Sequence, residues 1–219
     1  MPIQKFIDYL LLEKKYSPQT VLAYQKDIEA FQLFLTQEFT DSEVSKANYA
    51  QIRTWIVQLV DRAISNRTVN RKISSLNSYY KFLLKTESIN ANPLAKHKAL
   101  KVSKKIQIPF SETEVNTVLE GIDMDSFEGV RDKLIVELFY STGIRRIELV
   151  QLQLHDVDLS QAHIKVLGKR NKERIVPLLP SVIETVKTYL SERSKLKTIL
   201  DPSSFFLTNK GAKVYEMLV

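Results

Sequence analysis

The chain has 219 residues, 44% of them apolar, with 32 Lys and Arg against 25 Asp and Glu and no cysteine. Such a chain can bury one large core or two modest ones, and its apolar content with no biased tract excludes a disordered protein. Without cysteine there is no disulfide framework and no thiolate metal site, and the scattered His97, His155 and His163 argue against a zinc centre.

The opening run, MPIQKFIDYLLLEKKYS, is broken by Asp8 and Glu13. It is too short and too charged for a membrane span and is followed by no small-residue cleavage site, so a cytoplasmic protein is expected. Next comes SPQTVLAYQKDIEAFQLFL, in which Ser17 is the expected N-cap and Pro18 the first helical residue. Val21, Tyr24, Ile28, Phe31 and Leu35 recur there at helical spacing and form one buried stripe. A further helix is predicted over residues 49–60. In SNRTVNRKISSLNSYYKFLLK, Val69, Ile73, Leu76, Tyr80 and Leu83 mark the core side of another helix, while Arg67, Arg71, Ser74 and Ser78 fall on a different face. Arginines interleaved with small hydroxyl residues suit a phosphate backbone or a groove.

Charge is unevenly spread. Residues 1–50 hold 5 basic and 7 acidic side chains, whereas residues 51–105 hold 12 basic ones (Lys72 and Lys105 among them) against Asp61 and Glu87 alone. A solvated face is the bland account of a basic run, but the shortage of carboxylates points to a polyanionic partner. INANPLAKHKALKVSKKIQIPF has no sustained period and reads as an exposed basic linker, which places a boundary within residues 91–108.

The remaining residues mix element types. SETEVNTVLEGI carries a capping-box signature. EGVRDKLIVELFYSTG predicts a helix with Val130, Leu134, Leu138 and Phe139 inward, stopped by Gly143. HDVDLSQAHIKVLGKRNKERIVPL predicts a β-hairpin closed by Gly168–Lys172. A helix follows over about 180–195; SSFFLTN reads as a short strand, and KVYEMLV as the start of a helix with Tyr215 packed beside Val214 and Leu218. In STGIRRIELVQL, Ile144 anchors the turn, and Arg145 and Arg146 are expected in the first turn of the next helix. Cations there oppose the helix dipole, so their placement asks for a reason; a phosphate, which guanidinium can grip through two oxygens, supplies one.

At this point the motifs converge. TGIRRIELVQL resembles the first catalytic box of the tyrosine recombinases, and VLGKRNKERIVPL resembles the hairpin of that family with its catalytic lysine. SPQTVLAYQKDIEAF and SNRTVNRKISSLNSYYKFL are similar to the DNA-clamping helical domain of the Xer-type members. The four segments occur in the family's order across nearly the whole chain.

The resemblance implies a mainly α protein: an all-α, SAM-like core-binding bundle over residues 1–90, a basic linker over 91–108, and an incomplete α-rich catalytic domain with a small antiparallel sheet over 109–219, the two domains clamping duplex DNA. It implies site-specific recombination through a 3′-phosphotyrosyl intermediate, without metal or other cofactor, on duplex DNA and with partner recombinase protomers. It assigns Arg145 to the scissile phosphate, Lys169 to protonation of the departing 5′ oxygen, and Glu148 to support. The neighbouring cations Lys165, Arg170, Lys172 and Arg174 favour loss of the Lys169 proton. DNA contacts are expected from Arg67, Arg71, Lys72, Ser74, Arg146, Arg170 and Lys172. The family's His-x-x-Arg box and nucleophilic tyrosine have no match here, Tyr215 being too early, so the chain reads as truncated and unable to cleave alone. Two other readings stay open: a non-catalytic DNA-binding module that regulates or decoys a full-length recombinase, and a helical protein-interaction domain with incidental charge.

Overall fold

The computed structural model describes residues 2–39, 43–104, 106–168 and 172–219. The chain divides into two compact units, residues 1–106 and 107–219.

The first unit is helical. α1 (Pro2–Asp8) runs into a π-helical turn, Tyr9–Glu13, and is followed by α2 (Pro18–Glu38), α3 (Tyr49–Asp61) and α4 (Asn66–Lys85). Each long helix starts on a side-chain cap. The Ser17 hydroxyl accepts from the Thr20 N–H, Asn48 and Gln51 form a reciprocal capping box, and the Ser65 hydroxyl accepts from the Thr68 N–H. The expected stripe of α2 is buried at Val21, Ile28, Phe31 and Leu35, with Tyr24 packed at its edge. These side chains meet Trp55 of α3 and Ile73, Leu76, Tyr79, Tyr80 and Leu83 of α4 in one core rich in aromatic rings. Inside that core the Tyr80 hydroxyl donates to the Val44 carbonyl at 2.8 Å, so this buried phenol is satisfied.

The segment after α4, expected to be an exposed linker, is laced to that helix. Asn70 receives the Leu100 N–H and donates to the Leu100 carbonyl, both at 2.9 Å. Asn66 donates to the Lys101 carbonyl, Asn92 donates to Asn77, and Leu94 is buried in the helical core. An amide side chain that both gives and takes a backbone hydrogen bond replaces the strand partner an extended segment lacks. Lys96, Lys98, Lys101 and Lys104 remain exposed along this strap, and Lys105 lies outside the described residues.

The second unit contains α5 (Glu112–Glu120), α6 (Phe127–Thr142), the short α7 (Arg146–Gln151), a three-stranded antiparallel sheet, and α8 (Pro180–Ser194). The strands run in the order β1 (Val157–Asp158), β2 (His163–Leu167) and β3 (Glu173–Pro177). β2 and β3 form a hairpin in which Ile164 opposes Val176 and Val166 opposes Arg174. Opposed residues share a face, and Ile164, Val166 and Val176 are buried on it. Helices α6 and α8 pack together beneath, around Val130, Leu134, Leu138, Val182, Val186 and Tyr189. The Tyr189 hydroxyl donates to the Phe205 carbonyl and accepts the Leu207 N–H, each at 3.0 Å, anchoring the chain that follows α8.

Two sequence expectations are corrected at this end. SSFFLTN pairs only at single residues, Ser204 with Gln153 and Leu207 with Lys213, and forms no strand. KVYEMLV makes one turn, closed by the Leu218 N–H on the Tyr215 carbonyl, instead of a helix. Only Val214 of its apolar residues is fully buried; Tyr215 is exposed and Met217 is 93% exposed, so no packed face supports a helix there.

The junction between α6 and α7 depends on Gly143, which ends α6 in the left-handed conformation at φ 60°. A methyl group at its Cα would meet no atom within 4 Å, so the only obstacle to a side chain is the backbone conformation. Gly143→Ala is therefore expected to cost about 1 kcal/mol of stability through strain alone, measured by denaturant titration; an unchanged midpoint would show that the turn tolerates a side chain.

Candidate nucleic-acid interface and anion site

The Thr-Gly-Ile-Arg run builds a corner. The Thr142 hydroxyl turns back onto the Leu138 carbonyl, Gly143 reverses the chain, and Ile144 is buried as the anchor. Arg145 then stands in extended conformation as the N-cap residue of α7, with Arg146 the first helical residue, so only the second of the pair sits in the first turn. An arginine has no acceptor to offer at an N-cap. The acceptor comes instead from Glu148, which reaches back so that its Oε2 takes the Arg145 backbone N–H at 2.8 Å.

Glu148 is buried, its side chain only 1% exposed, and it takes three more hydrogen bonds. The Arg145 guanidinium donates to Oε1 at 2.9 Å, and Arg174 of β3 donates from both terminal nitrogens, to Oε1 at 2.7 Å and to Oε2 at 2.8 Å. Chiefly because of the Arg174 hydrogen bonds, and against the opposing effect of burial, its carboxyl is held at about 2, well below the ordinary 4.5. Two guanidiniums on one carboxylate leave one positive charge uncompensated. Arg145 carries it outward, since its side chain stays 63% exposed while one edge is fixed on Glu148. A pre-aimed guanidinium of this kind suits an incoming phosphate oxygen.

Arg146 has a different neighbour: its Nη2 donates to Glu216 at 2.9 Å in an exposed ion pair. Lys172 is exposed at the foot of β3, where its carbonyl accepts the Gly168 N–H at 2.7 Å and closes the hairpin. Lys169 and Arg170 lie outside the described residues. Two of the four cations counted near Lys169 in the sequence have acidic partners. Arg174 is paired with Glu148, and Lys165 lies 3.8 Å from Asp156 and 3.6 Å from Glu173. The cationic field of the hairpin is thus partly neutralised from within the fold. Among the described residues no three His, Asp or Glu side chains lie close enough to hold a metal ion.

In the first unit, Arg67, Arg71 and Ser74 are exposed along α4 as its periodicity requires. The basic stretch is better compensated than its sequence indicates, because a carboxylate arrives from α2. Asp27, 2% exposed, takes the Arg71 guanidinium on both oxygens at 2.5 and 3.1 Å. It also takes Lys72 Nζ at 3.1 Å and the Ser75 hydroxyl at 2.8 Å. Lys72 is largely covered and lies 6.0 Å from the centre of the Trp55 ring, while the Arg71 side chain is 52% exposed. The geometry therefore separates the two: Lys72 is committed to the interior, and Arg71 is fixed at one edge and open at the other. Motif reading passed over Asp27, and it counted Arg174 only as a neighbour of Lys169, without its partner Glu148. The signal for Arg174 was available, because it alternates with Val176 and Leu178, both buried, and so places a charge on an apolar face.

Two outcomes follow from these carboxylates. A group whose folded value is depressed contributes stability above its unfolded value, and loses it as pH falls through the folded one. The Glu148 contribution is thus fully present above 4.5 and disappears toward about 2. Chemical denaturation across that window should show Glu148→Gln less acid-sensitive than the parent chain, and equal slopes would refute the assignment. Asp27→Ala leaves two cations facing an empty buried site and should cost about 3 kcal/mol, read as a shift in denaturation midpoint.

Comparison with known proteins fits this geometry. Residues 3–87 match the phage integrase N-terminal SAM-like domain, and residues 109–216 match the phage integrase family. The chain is 36% identical over 212 residues to the tyrosine recombinase XerC of Oceanobacillus iheyensis, a match covering 95% of this chain and 69% of that protein. It is 34% identical over 210 residues to the tyrosine recombinase XerD of Staphylococcus haemolyticus, covering 95% and 71%. Among solved structures, the Tn1549 transposon integrase in complex with transposon right end DNA matches with TM-score 0.75 at 17% identity, over 97% of this chain and 73% of that one. A lambda integrase tetramer bound to a Holliday junction matches with TM-score 0.72 at 14% identity, over 99% and 59%. At such identities the structures establish a shared fold and nothing finer. With the two family matches lying on its two units and Xer relatives above 30% identity along nearly its full length, the chain belongs to the phage integrase family of tyrosine recombinases, on the Xer-like side of that family.

Proposed function

We propose that this chain serves site-specific DNA recombination by strand cleavage and rejoining, binding duplex DNA together with other recombinase protomers in the cytoplasm. The observation that carries the reading is Arg145: an exposed guanidinium whose other edge is fixed to the buried Glu148, in the family's first catalytic box. Held in this way, it neutralises charge that builds on the non-bridging oxygens as phosphorus becomes five-coordinate. Glu148 sets its direction. Lys169 is the proposed general acid for the departing 5′ oxygen, and Arg67, Arg71 and Ser74 the contacts of the helical unit with the DNA backbone. Arg146 and Lys172 are proposed to add backbone charge at the anion site, Arg146 after exchanging Glu216 for phosphate, with Arg170 a further proposed contact. Lys72, spent on Asp27, is proposed to support Arg71 in place of touching DNA itself. The curated relatives are longer, and the His-x-x-Arg box and nucleophilic tyrosine of the family have no match among these 219 residues. Binding without covalent strand cleavage is the expected behaviour of this chain by itself.

Titration of the 219-residue chain with duplex DNA at graded salt tests the reading. Affinity should fall steeply with salt, with a slope of roughly 0.9 per phosphate neutralised. Arg145→Ala and Arg71→Ala should each lower that slope by about one, whereas Lys72→Ala should lower stability and leave the slope alone. Salt-insensitive binding, or no retention of duplex DNA at low salt, would return the chain to the class of helical interaction domains. A strong slope indifferent to Arg145→Ala would favour a DNA-binding module that works through the helical unit only.

A further inference from the structure

Arg174 is an anomaly on its strand. It stands opposite Val166 on the face of the hairpin that Ile164, Val166 and Val176 turn toward the core. A charge there must find a partner, and it finds a buried one on another element, 26 residues away in sequence. The contact is a two-pronged fork, 2.7 and 2.8 Å from its terminal nitrogens to the two oxygens of Glu148. Each of those oxygens is shared. Oε1 also takes the Arg145 guanidinium at 2.9 Å, and Oε2 also takes the Arg145 backbone N–H at 2.8 Å. The fork fixes the plane of the carboxylate, and both the side chain and the backbone of Arg145 are then referred to that plane.

Gly168 records the same constraint from the other strand. Its φ is not in the left-handed region, so any cost of a side chain there is spatial. A Cβ would lie 3.1 Å from Arg174 Nη1, 3.2 Å from the Lys172 carbonyl oxygen and 3.5 Å from Glu148 Oε1. A side chain at 168 would press on the guanidinium, and through it on the carboxylate.

From this arrangement we infer that Arg174 is a positioning residue for Arg145: through Glu148 it locks the base of the β2–β3 hairpin to the start of α7, so that the exposed guanidinium is held in one direction. The inference rests on the reading of Arg145 as a phosphate contact. Charge alone at position 174 does not meet the requirement, because an ammonium is a point donor and cannot hold both carboxylate oxygens in one plane.

The test is a double-mutant cycle on the 219-residue chain, with duplex DNA affinity and its salt slope measured for the parent, Arg145→Ala, Arg174→Lys, Arg174→Ala and the doubles, and with thermal melts as a folding check. Arg174→Lys keeps the charge and should still lose about as much affinity as Arg145→Ala, lowering the slope by about one. In the Arg145→Ala background it should change nothing, since there is no guanidinium left to aim. Additive losses would mean that Arg174 acts on DNA separately, and wild-type binding by Arg174→Lys would mean that charge suffices; either overturns the inference. If Arg174→Ala fails to fold, Arg174→Lys decides, and loss of fold in both makes the role purely structural and overturns it as well. An Arg145→Ala chain that binds like the parent is a separate failure, that of the phosphate reading itself.

Discussion

A carboxylate withdrawn from water must be repaid in hydrogen bonds, and each unit of this protein is organised around one such group. Asp27 and Glu148 each accept four, from two cationic residues in each case, with a serine completing the first set and a backbone N–H the second. In both, cations outnumber the carboxylate by one, so the cluster is internally bonded and still positive. Such a cluster is hydrogen-bonded within the fold and its guanidiniums are held in place, which a pair of free arginines on a solvated face is not.

The surrounding fold follows from the need to hold these groups. Asp27 can be buried because α2 and α4 pack along their apolar stripes, bringing Arg71, Lys72 and Ser75 to it from the neighbouring helix. Glu148 can be buried because Gly143 turns the chain and Ile144 fixes the corner, which points the first turn of α7 at the sheet. The hairpin answers with Arg174, and Gly168 leaves the space that the guanidinium occupies. In the helical unit, asparagines on α4 hold the following basic segment against the helix by bonding its backbone and leaving Lys96, Lys98, Lys101 and Lys104 in solvent. Fixed backbone with free charge is an arrangement suited to a polyanion, because binding then orders little further chain.

Much of the local structure is legible in the residues. The caps at Ser17, Asn48, Ser65 and Ser111, the left-handed stop at Gly143, and the period-two hairpin each have a short-range chemical cause, and each is found where that cause operates. The misreadings share a reason too. KVYEMLV has the composition of a helix but no packed face, and SSFFLTN has the composition of a strand but finds pairing at single residues only. Short segments take their conformation from what they pack on, which composition does not report.

Sequence by itself determined the helices and hairpin, the uneven charge, and the motif around Arg145, because each rests on neighbours within a turn or two of the chain. Only the tertiary structure decided which cations are free. Asp27 and Arg71 are 44 residues apart, and Glu148 and Arg174 are 26 apart, so no local pattern announces either pair. Folding brought the acids to the bases, committed Lys72, Lys165 and Arg174 to carboxylates, and left Arg71 and Arg145 held at one edge and open at the other. The physical reason is that burying a carboxylate is tolerated only where its partners converge, and convergence is a property of the packed molecule.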